Sequence, residues 1–140
     1  MSESPTVIPM LAYENGPAAM DWLINAFGFK EKTRLLANDG KLSHGELLTD
    51  KGMIMLWSAP EDYQSPKTLQ ENYEPAKKWF DVPWILNGVL VYVPDLEAHF
   101  ARAVKAGATI LSEIEDSPPG KRYRVADLEG QRWFFFEKEK

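Results

Sequence analysis

His44 and Glu46 are the residues of this chain best placed to do chemistry together. They stand two apart in a strand-like run, so both side chains point to one side. An imidazole beside a carboxylate can take up and return a proton while the carboxylate orients the ring. The same pair can orient a bound ligand, or fix a pocket wall as a hydrogen-bonded unit. Ser43, Gly45 and Leu47 take the opposite side, where a small glycine and an apolar leucine suit contact with a helix. His44 and Glu46 are therefore both the catalytic and the ligand-binding candidates. As metal ligands they would need at least one further donor.

The rest of the composition removes whole classes of function. There is no cysteine, hence no disulfide framework, thiolate nucleophile or zinc-finger site. A formal net charge of -5 argues against non-specific nucleic-acid binding, which needs a basic face. No signal-peptide pattern and no apolar run of about 18 residues occurs, so a cytoplasmic protein without a membrane partner is expected. With 140 residues a single domain is expected, able to bury roughly two thirds of its unfolded surface. The other histidine, His99, falls near solvent-facing positions of a helix and reads as a surface residue.

The elements that must position these groups occur twice. Val7 to Phe29 reads as an apolar strand, an N-cap at Asn15, and an amphipathic helix closing at Gly28. Gly88 to Thr109 repeats that order, with Asp95 as the cap and Gly107 as the stop. Each unit continues through strand-like runs to a glycine turn, Gly52 or Gly130, and a last apolar strand, Met53–Trp57 or Arg132–Phe136. The markers keep an offset near 80 residues. Two βαβββ modules in an α+β fold follow, module 1 over about 5–58 and module 2 over about 88–138. Ala19, Met20, Leu23 and Phe27 of the first helix should face its sheet, as should Leu96, Phe100, Ala103 and Val104 of the second.

Residues 59–87 lie outside the repeat. Ser65-Pro66 marks a helix start, and Glu74-Pro75 should break or restart that helix. Tyr63, Tyr73, Trp79, Phe80 and Trp84 make the segment rich in rings. It is either a linker packed on the sheet rim or an aromatic lid.

The ordered set Tyr13-x-Asn15-x-x-x-Ala19-x-x-Trp22-x-x-x-Ala26-Phe27-Gly28-Phe29, His44-Gly45-Glu46-Leu47 and Gly52-Met53-Ile54-Met55-Leu56 resembles the vicinal oxygen chelate superfamily. So do Val91-Tyr92-Val93-Pro94-Asp95, Ala106-Gly107-Ala108 and Asp127-Leu128-Glu129-Gly130-Gln131-Arg132-Trp133. That superfamily holds glyoxalases, extradiol dioxygenases, and fosfomycin- and bleomycin-resistance proteins. The resemblance implies paired modules forming a U-shaped mixed sheet around a cavity, in a homodimer. Catalytic members hold a divalent metal with His and Glu from the first and last strands of each module. Counting from the caps and the glycine turns places those positions at Ile8, Leu56, Gly88 and Phe134. None offers an imidazole or a carboxylate. A slip of one residue reaches Val7, Pro9, Met55, Trp57, Asn87, Val89, Trp133 or Phe135, and does not restore the set. No metal and no other cofactor is expected.

Strand alternation supplies the rest of the expected cavity wall. If Phe134 faces inward, so do Arg132 and Phe136. Gly88 likewise brings Leu90 and Tyr92 inward, and Leu56 brings Ile54, leaving Trp57 on the helix side. Trp79 and Trp84 add rings from the segment between the modules. The expected ligand is a small, largely apolar or aromatic organic molecule. The expected function is metal-free binding of the bleomycin-resistance type. The alternative is a lyase, isomerase or dioxygenase-like enzyme using His44 and Glu46.

Overall fold

The computed structural model describes residues 7–84 and 86–139. The expected start of module 1 near residue 5 lies outside them. Among the described residues there are two four-stranded mixed sheets and four helices. They divide into two compact units, one ending at Tyr63 and the other beginning at Gln64.

The first unit runs β1 (Met10–Tyr13), α1 (Gly16–Phe27), β2 (Lys30–Leu36), β3 (Leu42–Leu48) and β4 (Met53–Ser58), with sheet order β1-β4-β3-β2. The second runs α2 (Pro66–Asn72), α3 (Glu74–Phe80), β5 (Gly88–Tyr92), α4 (Leu96–Lys105), β6 (Thr109–Ser117), β7 (Gly120–Ala126) and β8 (Arg132–Lys138), with order β5-β8-β7-β6. One topology therefore occurs twice. In each sheet the first and last strands of the module pair parallel and the others antiparallel.

The helix punctuation follows the sequence. Asn15 Oδ1 accepts from Ala18 N at 3.1 Å, and Asp95 Oδ1 accepts from Ala98 N at 3.0 Å. Gly28 ends α1 at φ 73°, a left-handed value that favours glycine. Ala19, Met20, Leu23 and Phe27 are buried, as are Leu96 and Ala103. Val104 is not: it is 49% exposed, because α4 is short and carries its buried stripe through Leu96 and Ala103. Ser65 caps α2, and α3 restarts at Glu74 with Pro75 in its first turn. This pair of helices is tied to the second unit, where Lys67 N donates to Glu129 O at 2.9 Å.

His99 departs from the expectation of a surface residue. Its ring centroid lies 4.0 Å from that of Phe135, and its Nδ1 shares a 2.6 Å hydrogen bond with the Tyr123 hydroxyl. Burial holds the Tyr123 phenol above its ordinary titration range. His99 is thus part of the packing of α4 on β7 and β8.

Candidate functional site

Each sheet has one face beneath its long helix and one face opposite. On β3 the helix face carries Leu42, Gly45 and Leu47, all buried. Ser43, expected there, is exposed instead, because a bulge between the pairs Leu35–His44 and Leu36–Leu42 inserts it as an extra residue. His44 and Glu46 share the opposite face, as their spacing requires.

That face is a small polar site. His44 Nε2 lies 3.1 Å from Glu46 Oε2, and Glu46 Oε1 accepts from Thr33 Oγ1 at 2.8 Å. An ionised carboxylate only accepts, so Nε2 carries a proton in this contact and Nδ1 is the nitrogen able to take one up. The hydrogen bond from His44, then that from Thr33, hold the Glu46 carboxyl below the usual carboxylate range. Across the strands Glu46 stands opposite Thr33 and Met55, and Met55 opposite Met10.

This register corrects the reading of β4. Ile54 and Leu56 were expected on the cavity side, yet both are buried beneath α1, and a Cβ on Gly45 would meet Leu56 Cδ2 at 3.4 Å. Met53, Met55 and Trp57 take the face shared with Glu46. The cause is the length of the turn. Thr49 N bonds to Gly52 O in module 1, whereas Asp127 N bonds to Gln131 O in module 2, one residue further along. A shift of one residue reverses every side chain of a strand. Met55, not Leu56, is the counterpart of Phe134: Met10–Met55 and Leu90–Phe134 are the matching parallel pairs.

In the second unit the face opposite α4 is ordered in cross-strand rows. Gly88, Arg132 and Ala126 form one row; Leu90, Phe134, Arg124 and Ser112 the next; Tyr92, Phe136, Arg122 and Glu115 the third. Leu90 and Tyr92 are each 51% exposed, and Tyr92 packs edge-on against Phe136 with centroids 5.5 Å apart. Lys138 Nζ sits 4.9 Å from the Tyr92 ring.

Arg132 is buried. Its Nη1 donates to Val82 O and its Nη2 to Phe80 O at 2.8 Å, with the Phe80 ring 5.3 Å from the guanidinium carbon. It pins the segment after α3 onto the start of β8. Trp84, 63% exposed, lies 5.3 Å from the Arg124 guanidinium carbon, while Trp79 packs against Tyr73 with centroids 5.9 Å apart. The structure therefore brings Trp84 to the Phe134 row through Arg124, and Trp79 to the α2–α3 junction. Arg122 and Arg124 were missed at the sequence level. The buried alternation Tyr123, Val125 in β7 is the signal that places them on the face of Phe134.

The residues at the family's metal positions are Ile8, Met55, Gly88 and Phe134. Hydrocarbon, thioether and hydrogen do not form a site for a hard or borderline divalent ion. Among the described residues no group of three or more His, Cys, Asp or Glu side chains could hold a metal ion. The donor set does not fit the family metal.

Comparison with known proteins agrees with this architecture. Uncharacterized protein Mb0911c of Mycobacterium bovis is 31% identical over 134 residues, covering 92% of this chain and 80% of its own. The crystal structure of TioX from Micromonospora sp. ML1 is 30% identical, with a TM-score of 0.70, covering 97% of this chain and 100% of that one. TnmS3, an antibiotic binding protein from Streptomyces sp. CB03234, shares the fold at 14% identity and a TM-score of 0.60, covering 98% and 99%. Residues 8–135 match the family described as Glyoxalase/Bleomycin resistance protein/Dioxygenase superfamily. Paired βαβββ topology, family match and relatives agree, and the chain belongs to the glyoxalase/bleomycin resistance/dioxygenase superfamily.

Proposed function

We propose that this chain binds a small, largely apolar or aromatic organic molecule without the metal used by the catalytic members of its family. One observation carries the reading. The β5–β8 face opposite α4 presents Leu90, Tyr92, Phe134 and Phe136 as a contiguous apolar surface, with Leu90 and Tyr92 half-exposed. Apolar surface of this kind gains about 25 cal/mol per Å² when a ligand covers it, before association costs. Trp84 and Trp79 add rings from the preceding segment, and Arg132 acts by holding that segment. TnmS3, an antibiotic binding protein, shares this fold. The homodimer that the family resemblance implies, and a cytoplasmic location, complete the proposal.

A thermal-shift screen of aromatic compounds tests it, because a ligand of the native state raises the melting temperature by mass action. Stabilisation by arenes, lost on changing Phe134, is expected; a compound set without any stabiliser counts against it. The His44–Glu46 contact favours a second reading, an enzyme in which His44 is the base and Glu46 orients it. Turnover that disappears in His44→Ala, in protein shown by elemental analysis to be metal-free, would select that reading.

A further inference from the structure

Resting on the ligand-binding reading above, we infer that Arg124 is an anion anchor and that the preferred ligands are planar aromatic acids. The guanidinium carbon of Arg124 lies 5.3 Å from the Trp84 ring centroid and 5.7 Å from that of Phe134. A cation bordered by two rings is a place where an aromatic plane and an acidic substituent can be held together.

The charges on this face are unbalanced. Arg122 Nε and Arg124 Nη1 both turn to the one carboxylate oxygen Glu115 Oε1, each at 3.3 Å, beyond the usual length of a charged hydrogen bond. Two cations thus share one anion. Arg132 and Lys138 lie on the same strand face of β8, so the face is locally cationic although the chain carries -5 overall.

The hydrogen-bonding is also incomplete. Arg124 Nε and Ser112 Oγ are buried and, among the described residues, have no hydrogen-bond partner. These two residues are cross-strand neighbours, Ser112 of β6 opposite Arg124 of β7. Buried donors without partners are uncommon, and a ligand acceptor that reached them would remove that deficit. A carboxylate supplies both the missing charge and the missing acceptor, and it can meet the guanidinium fork with two oxygens. The uncharged carboxamide supplies a single carbonyl acceptor and no charge.

Calorimetric titration of the full chain with naphthalene-2-carboxylate and with naphthalene-2-carboxamide tests this. The acid should bind about tenfold or more tightly than the amide, as a charged hydrogen bond is worth more than a neutral one. In Arg124→Gln the acid should lose about tenfold or more and fall to the level of the amide, whose own loss should be smaller because it gives up a neutral hydrogen bond alone. Added salt should narrow the difference for the acid alone. Equal binding of the two probes to the unaltered chain, or a preference that survives in Arg124→Gln, overturns the anchor and leaves the ligand-binding reading standing. Failure of both probes to bind overturns the two together. The comparison on the unaltered chain needs no variant, so it holds even if Arg124→Gln does not fold.

Discussion

Gly45 lies so close to Met20 that a Cβ on the glycine would stand 2.9 Å from the methionine sulfur. The same Cβ would come 3.0 Å from Leu42 Cδ2 of the same strand, so the space between β3 and α1 is filled at this point. This contact decides which way β3 faces, and so turns His44 and Glu46 away from the helix. Gly45→Val should destabilise the protein by about 1–3 kcal/mol through overpacking, read as a lower urea midpoint. An unchanged midpoint would show that α1 does not press on β3 here.

The turn before β4 gives a second test. Leu56 is fully buried beneath α1, whereas Met55 shares the face of Glu46. Leu56→Ala should cost about 2–5 kcal/mol by opening a cavity, with arene binding unaltered in the folded fraction. Met55→Ala should cost markedly less stability. The reverse ranking would restore Leu56 to the open face.

Much of the fold was legible because its signals are local. Asn15, Asp95 and Gly28 each satisfy or free backbone groups at a helix end, and those requirements do not depend on the rest of the chain. The open face of β5 and β8 was legible too, since Phe134 could be counted from Gly130. The matching count failed at Gly52, where the turn is one residue shorter. Nothing in the run Met53–Trp57 could reveal the error, because all five residues are apolar and alternation carries no contrast. His99 was misplaced for a related reason: an imidazole is polar enough to look exposed and flat enough to pack on Phe135. Arg132 was correctly placed on its face, but its engagement with the Phe80 and Val82 carbonyls depends on how the chain returns from α3, which no spacing encodes.

The Glu46 carboxyl should titrate below the ordinary carboxylate range, held there first by His44 and then by Thr33. A depressed folded-state value stabilises the native protein above the unfolded-state titration, and that stabilisation is lost as pH falls through the folded value. Carbon-detected NMR should show the Glu46 midpoint rising toward its ordinary value in His44→Ala, with a smaller rise in Thr33→Val. Glu46→Gln should lower stability near neutral pH and approach the unaltered protein in acid. A Glu46 midpoint indifferent to His44 would mean that the contact does not form in solution.

Arg132 holds the segment after α3 by donating to Phe80 O and Val82 O. Arg132→Met keeps an apolar stem but leaves both carbonyls without that partner. A loss of about 1–3 kcal/mol is expected, as for buried groups whose partner is removed. Limited proteolysis should then speed up between Phe80 and Trp84. Cleavage there at the original rate would show that other contacts suffice to fix the segment.

Phe134 occupies the middle of its row, between Leu90 of β5 and Arg124 of β7. A ligand lying on this face cannot avoid it. Phe134→Glu removes the ring and places a carboxylate beside Arg124, where it would both pair with the guanidinium and repel an acidic ligand. Naphthalene-2-carboxamide should bind at least about tenfold more weakly, since burying one aromatic ring is worth roughly 1.5–3 kcal/mol. The acid should lose more than the amide, because it loses its anchor as well as its contact surface. Lys51→Glu, an equal charge change on the exposed turn before β4, should alter neither affinity. Calorimetry on the three proteins separates the outcomes: equal losses for acid and amide in Phe134→Glu would leave the apolar face as the ligand site and remove Arg124 from it, and no loss for either would place the ligand elsewhere.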